Sequence, residues 1–174
     1  MNPQAERQKI DQALDLYRKQ LDTIPDEQFD VTPVIGGWSY AEVYCHILQA
    51  NLGSSIAIEK CCRKTAEATS KGPNWLGRLM ILIGRFPPVK VKAPPSQAAK
   101  VVLITKEEAR NQLIKLRKRL DEVVPLVKVA PKHYKIKHPS LGMFNAAQWL
   151  KFIRIHSLHH LKQLKRIKNS FPQM

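Results

Sequence analysis

Asn145-Ala-Ala-Gln-Trp-Leu-Lys-Phe-Ile-Arg-Ile-His156-Ser-Leu-His159-His160-Leu-Lys-Gln163-Leu-Lys-Arg-Ile-Lys168 holds three of the chain's six histidines. At 3.6 residues per turn it predicts one long helix, with Asn145 as cap and Gln148 completing a capping box. Trp149, Phe152, Ile153, His156, His160, Gln163, Leu164 and Ile167 share the face that turns toward a core, while Lys151, Arg154, Lys162, Lys165 and Arg166 fall opposite. His156 and His160 are stacked one turn apart inside the apolar stripe, a spacing that lets two ring nitrogens converge on one metal ion. Ordinary hydrogen-bonded core histidines fit the same pattern, and spacing alone leaves both readings open. His159 is turned away from the pair and reads as a rim or surface residue.

The chain has 174 residues, 44% of them hydrophobic, so a single folded domain spanning 1–174 is expected. No apolar run approaches the ~20 residues of a spanning helix. The polar start Met1-Asn-Pro-Gln-Ala-Glu-Arg lacks a signal-peptide core, so a cytoplasmic protein with no membrane partner is expected. Cys45, Cys61 and Cys62 have neither finger nor ribbon spacing, which argues against a disulfide framework or a zinc knot.

The net charge of +15 is unevenly spread. Every acidic residue lies at or before Glu122, and Val123 to Met174 holds ten Lys or Arg and no acid. Glu67 to Glu107 encloses seven basic residues and no acid. The last third therefore offers no carboxylate as metal ligand, general base or nucleophile. A surface this basic attracts anions, be they nucleic acid, phosphate or a carboxylate-bearing small molecule. It also suits a soluble protein with no particular partner.

Three more long helices are expected. The first runs from about Pro3 to Thr23, with Ile10, Ala13, Leu14, Tyr17 and Leu21 inward. Ser39 and Glu42 form a capping box that opens the second, expected to reach about Ala68 with Val43, His46, Ala50, Gly53, Ala57 and Cys61 on one close-packing face. Glu42 precedes His46 by one turn; capping is its favoured role, and orienting the imidazole the alternative. A box at Thr105 and Glu108 opens the third, expected to stop at Pro125. Trp75–Arg85 reads as a short helix covering the bundle. Phe86–Ser96, with four prolines, reads as an extended arm. Pro131–Gly142 reads as a basic loop in which His138 is a weak candidate to line a site. The class is all-α: a four-helix bundle with a short extra helix and a Pro-rich arm.

Gly37-Trp38-Ser39 with His46, His138-Pro139-x-x-Gly142, Trp149, and His156-x-x-His159-His160-x-x-Gln163 together resemble the DinB-like superfamily, over nearly the whole chain. That group contains YfiT-type metal-dependent hydrolases and thiol-dependent transferases. The resemblance implies an up-down-down-up bundle and a divalent ion, nickel or zinc, held by His46, His156 and His160, with Gln163 as a supporting group. It implies a small-molecule substrate, a low-molecular-weight thiol in some members, and a homodimer. The expected function is a metal-dependent hydrolase or thiol S-transferase on a small, anionic substrate. Its rival is a non-catalytic module whose basic surface meets nucleic acid or a protein. That rival ranks lower, because the basic residues lack interleaved exposed aromatics.

Overall fold

A computed structural model describes residues 1–87 and 99–171. Four long helices form the bundle: α1 (Pro3–Thr23), α2 (Tyr40–Cys62), α4 (Lys106–Val127) and α5 (Ala146–Lys168). The short α3 (Trp75–Ile83) lies between α2 and α4 in the chain. All three expected capping boxes are formed, at Ser39/Glu42, Thr105/Glu108 and Asn145/Gln148. Each satisfies two backbone donors that a helix start leaves orphaned. The proline-rich arm falls largely outside the described residues.

Cross-helix pairs fix the directions. Arg7 meets Asp121, Asp11 and Asp15 meet Arg117, and Asp22 meets Arg110, so α1 and α4 run antiparallel. Cys45 lies by Val102 and Glu59 by Arg119, so α2 runs parallel to α4. His46 meets His156 while Cys61 meets Phe144, so α2 and α5 run antiparallel. The topology is therefore up-down-down-up. Helices α1 and α2 each pack against both α4 and α5, and stand diagonally across the bundle from one another. The core between them includes Ile10, Leu14, Tyr17, Tyr44, Leu48, Ile58, Leu116, Leu120, Ile153 and Leu164.

Several boundaries differ from expectation. Helix α2 stops at Cys62 rather than near Ala68, because Arg63 leaves the helix and Lys64 takes a left-handed φ of 59°. Gly53 is exposed with nothing near it, so it provides no close approach. Helix α4 passes through Pro125 to Val127. Pro125 is exposed, so the carbonyl of Asp121 that loses its partner can turn to water. The expected loop 131–142 contains the strand β2 (Tyr134–His138) and runs into a second, β3 (Gly142–Phe144). They pair antiparallel with Ile136 opposite Phe144, and β1 (Glu67–Ala68) adds to the other edge of β2. Helix α3 does cover α5, but it turns Gly77 and Met80 inward. No described helix is long and apolar enough to cross a membrane.

Candidate metal centre

His46 lies two turns into α2, while His156 and His160 occupy consecutive turns of α5, and the antiparallel packing of these helices brings all three together. The Nε2 of His156 lies 3.2 Å from Nε2 of His46 and 3.0 Å from Nε2 of His160. His156 and His160 are buried and His46 is half-buried. Among the described residues, this group has all its ligand atoms within 4.8 Å of one another and includes no carboxylate.

The far side of each α5 ring is held by an amide. His160 Nδ1–H donates to Oε1 of Gln163 at 2.7 Å. On the other ring a relay runs from a backbone carbonyl. The Ser157 hydroxyl donates to the Ile153 carbonyl at 2.8 Å, and its oxygen accepts from Nδ2 of Asn51 at 3.0 Å. That turns Oδ1 of Asn51 toward Nδ1 of His156, which donates at 3.4 Å. With both Nδ1 atoms protonated, both Nε2 atoms present lone pairs to the same small volume.

Charge reinforces this arrangement. Burial pushes the His160 imidazole down to about 3, with the neighbouring His46 and His159 adding to the effect. Burial, then His159, pushes His46 down to about 4. His156 is driven well below the ordinary histidine value, by burial first and then by His160 and His46. The two inward lone pairs of His156 and His160, 3.0 Å apart, repel one another unless a cation lies between them, and His46 Nε2 faces the same point. The donor set therefore fits a divalent metal ion.

The surroundings are aromatic. Trp38 lies 4.9 Å from His46, Phe152 stacks on His156 at 5.0 Å, and Phe86 approaches His156 at 6.4 Å and the exposed His159 at 4.8 Å. Burial, Arg166 and Lys162 together disfavour protonation of His159, which puts two cations at this rim. His138 sits on β2 with its ring 4.8 Å from that of Phe152, which stacks on His156. Its Nδ1 accepts from the Ser140 N–H at 3.1 Å, and burial pushes it down to about 4. Glu42 commits its carboxylate to the Ser39 N–H at 2.8 Å, so capping is the role it plays. Cys61, as a buried small hydrophobe, is pushed up to about 11 by burial and then by Cys62.

Asn51 and Ser157 did not emerge from the sequence reading. The available signal was an asparagine, a poor helix former, five residues after His46 in the middle of a long helix. A surface depression of about 430 Å³ lined by Asn111, Ile114, Lys115, Lys118, Arg119 and Glu122 lies on α4 and contains none of these groups.

The fold and this histidine cluster together define a class. The family model of the DinB superfamily matches residues 9–164, and the chain belongs to that superfamily. Among solved structures it is similar to TT2238, a four-helix bundle protein, at 17% identity and a TM-score of 0.61, covering 94% of this chain and 98% of that one. It is also similar to YfiT from Bacillus subtilis, described as a probable metal-dependent hydrolase with an unusual four-helix bundle topology. There the identity is 15% and the TM-score 0.65, over 96% of this chain and 86% of that one. At these identities the likeness is one of fold. No curated protein matches the sequence.

Proposed function

We propose that the protein is a divalent-metal-dependent enzyme, a hydrolase or thiol S-transferase, acting on a small anionic substrate. The observation that carries this reading is the convergence of the His46, His156 and His160 Nε2 atoms, with the Nδ1 atoms of His156 and His160 facing amide oxygens. These three residues would hold the ion, and nickel or zinc suits three imidazoles. Three protein ligands are the number found in catalytic zinc sites, whereas structural sites use four. When bound, the ion supplies Lewis acidity toward a water or thiol nucleophile.

The chain's own groups do the rest. Asn51 and Gln163 keep the Nδ1 protons in place, so that the ring nitrogens facing inward stay unprotonated. Trp38, Phe152 and Phe86 limit water around the triad. Arg166 and Lys162, beside His159, favour a substrate carrying negative charge. With no carboxylate in the cluster, a reaction that needs no protein base, such as attack by a low-molecular-weight thiol, suits it as well as hydrolysis does.

Metal analysis of the purified protein tests the reading. The expected result is about one equivalent of nickel or zinc, lost in His156→Ala. Protein that purifies without metal and refuses both added ions overturns it. Assaying the loaded protein on ester and amide panels, and on electrophiles with and without added thiol, separates the two chemistries.

A further inference from the structure

Helix α3 is built inside out. At 100° per residue, Gly77, Met80 and Gly84 share one side, and Trp75, Leu79, Leu82 and Ile83 share the other. The side turned inward carries two glycines and the fully buried Met80, with Leu76 and Ile81 partly buried at its margins. A Cβ on Gly77 would stand 2.4 Å from the Leu141 carbonyl oxygen, and one on Gly84 3.3 Å from the Arg154 guanidinium, so the helix lies against the body along its glycines. The apolar side faces solvent: Trp75 is 71% exposed, Leu82 81%, Ile83 42% and Leu79 37%. A contiguous apolar stripe on the outside of a helix marks a surface that something covers.

What surrounds the stripe selects the occupant. Arg78 lies at its margin and Arg85 just past its end, both exposed, and the exposed Lys71 precedes the helix by four residues in the chain. No acidic residue occurs between Glu67 and Glu107. Glu6, which reaches the end of α3 through Arg154, is already committed to that arginine at 2.6 Å. A second copy of the chain would set these cations against their own duplicates. The stripe is also one nine-residue helix, against the ~20–30 residues a side of a standard protein interface. Exposed Trp, Leu and Ile bordered by Arg and Lys is the composition of a helix that lies in the plane of an anionic bilayer surface. The helix is too short to span; the proposal that follows departs from the expectation of no membrane partner, which rested on the lack of a spanning segment and of a signal-peptide core.

We propose that the outward face of α3, made of Trp75, Leu79, Leu82 and Ile83 with Arg78 and Arg85, docks the protein on anionic lipid surfaces. The chain leaves α3 and reaches Phe86, whose ring lies against His159, so docking brings the rim of the histidine cluster close to the bilayer. The docking itself does not depend on any metal.

The test is co-sedimentation of the full chain with phosphatidylcholine vesicles, with and without phosphatidylglycerol. The expected result is binding to the anionic vesicles that weakens with salt, with little on phosphatidylcholine alone. The double variant Trp75→Ser/Leu82→Ser should bind at least about ten-fold more weakly. Because both side chains are largely exposed, its melting temperature should be unchanged. Arg78→Gln/Arg85→Gln should bind more weakly and with a flatter salt dependence. Absence of any preference for anionic vesicles overturns the proposal, as does binding that Trp75→Ser/Leu82→Ser leaves intact. A dimer in sedimentation velocity that this same variant dissociates also overturns it, in favour of a second copy.

Discussion

The Asn51 side chain donates to the Ser157 hydroxyl across the α2–α5 interface at 3.0 Å, and this single contact sets the direction of the amide. Its oxygen is thereby left for His156 Nδ1, and the inward nitrogen of that ring is left bare. Supporting groups of this kind typically contribute 10–100-fold to metal affinity. Asn51→Leu is therefore expected to weaken zinc or nickel binding by about ten-fold or more, and Asn51→Asp, which keeps an acceptor facing the ring, to retain it. Titration calorimetry on the two variants checks this. Equal affinities for both would separate the amide from the ring's tautomer.

The metal-free protein should lose stability in mild acid. His46, His138 and His160 have native values near 4, 4 and 3, against an ordinary 6.5, and His156 is also depressed. Between those limits the unfolded chain binds protons that the native chain does not, so stability rises with pH there. It is complete above about 6.5 and declines as pH falls toward 4. Urea unfolding of apo protein at pH 7.5 and 5.5 should show a lower midpoint at the lower pH. Added metal should raise the midpoint at pH 7.5 and do so less at 5.5, because protons compete for the same nitrogens.

Helix starts were legible because each carries its own chemistry: a Ser, Thr or Asn followed three residues later by Glu or Gln. The histidine triad was legible in pieces, since spacing put His156 and His160 on one face but said nothing of which helix faced them. Helix ends were harder. Helix α2 ends without a glycine, and Lys64 adopts a positive φ that sequence does not flag. Tyr-Lys-Ile-Lys-His has the alternation of a strand, but Pro131 and Pro139 bracket it and read as loop punctuation. The outward apolar face of α3 could not be inferred, because a hydrophobic segment is expected to bury itself. The glycines show otherwise only once Leu141 and Arg154 are seen against them.

Glu6 and Arg154 form an ion pair at 2.6 Å with both side chains nearly buried, and Arg154 also donates to the Gly84 carbonyl at 3.4 Å. Arg154 lies on the α5 face opposite the apolar stripe, yet it ties α1, α5 and the end of α3 together. Removing one partner of a buried pair strands the other, so Glu6→Leu should cost about 3–5 kcal/mol. Glu6→Leu/Arg154→Met should cost much less, because no unpaired charge remains. A double-mutant cycle by urea denaturation measures the difference.

Two glycines should respond to alanine with opposite signs. Gly142 opens β3 with a φ of 87°, and a Cβ there would stand 2.5 Å from the Asn74 backbone nitrogen. That nitrogen donates to Leu141, and the Asn74 side chain donates to Ser140, so the crowding falls on the joint between hairpin and α3 and cannot relax by moving one flexible side chain. Gly142→Ala should cost about 2–3 kcal/mol, a drop in Tm of roughly 5–10 °C for a chain of this size. Gly53 lies within α2, exposed, with nothing within 4 Å of a Cβ. Gly53→Ala should therefore stabilise the protein by about 0.5–1 kcal/mol through helix propensity. Thermal melts of both variants decide the matter. A stabilising Gly142→Ala would mean that the hairpin is not held against α3 in solution, and Phe144, which packs at 6.3 Å on Phe152 beneath His156, would lose its fixed seat.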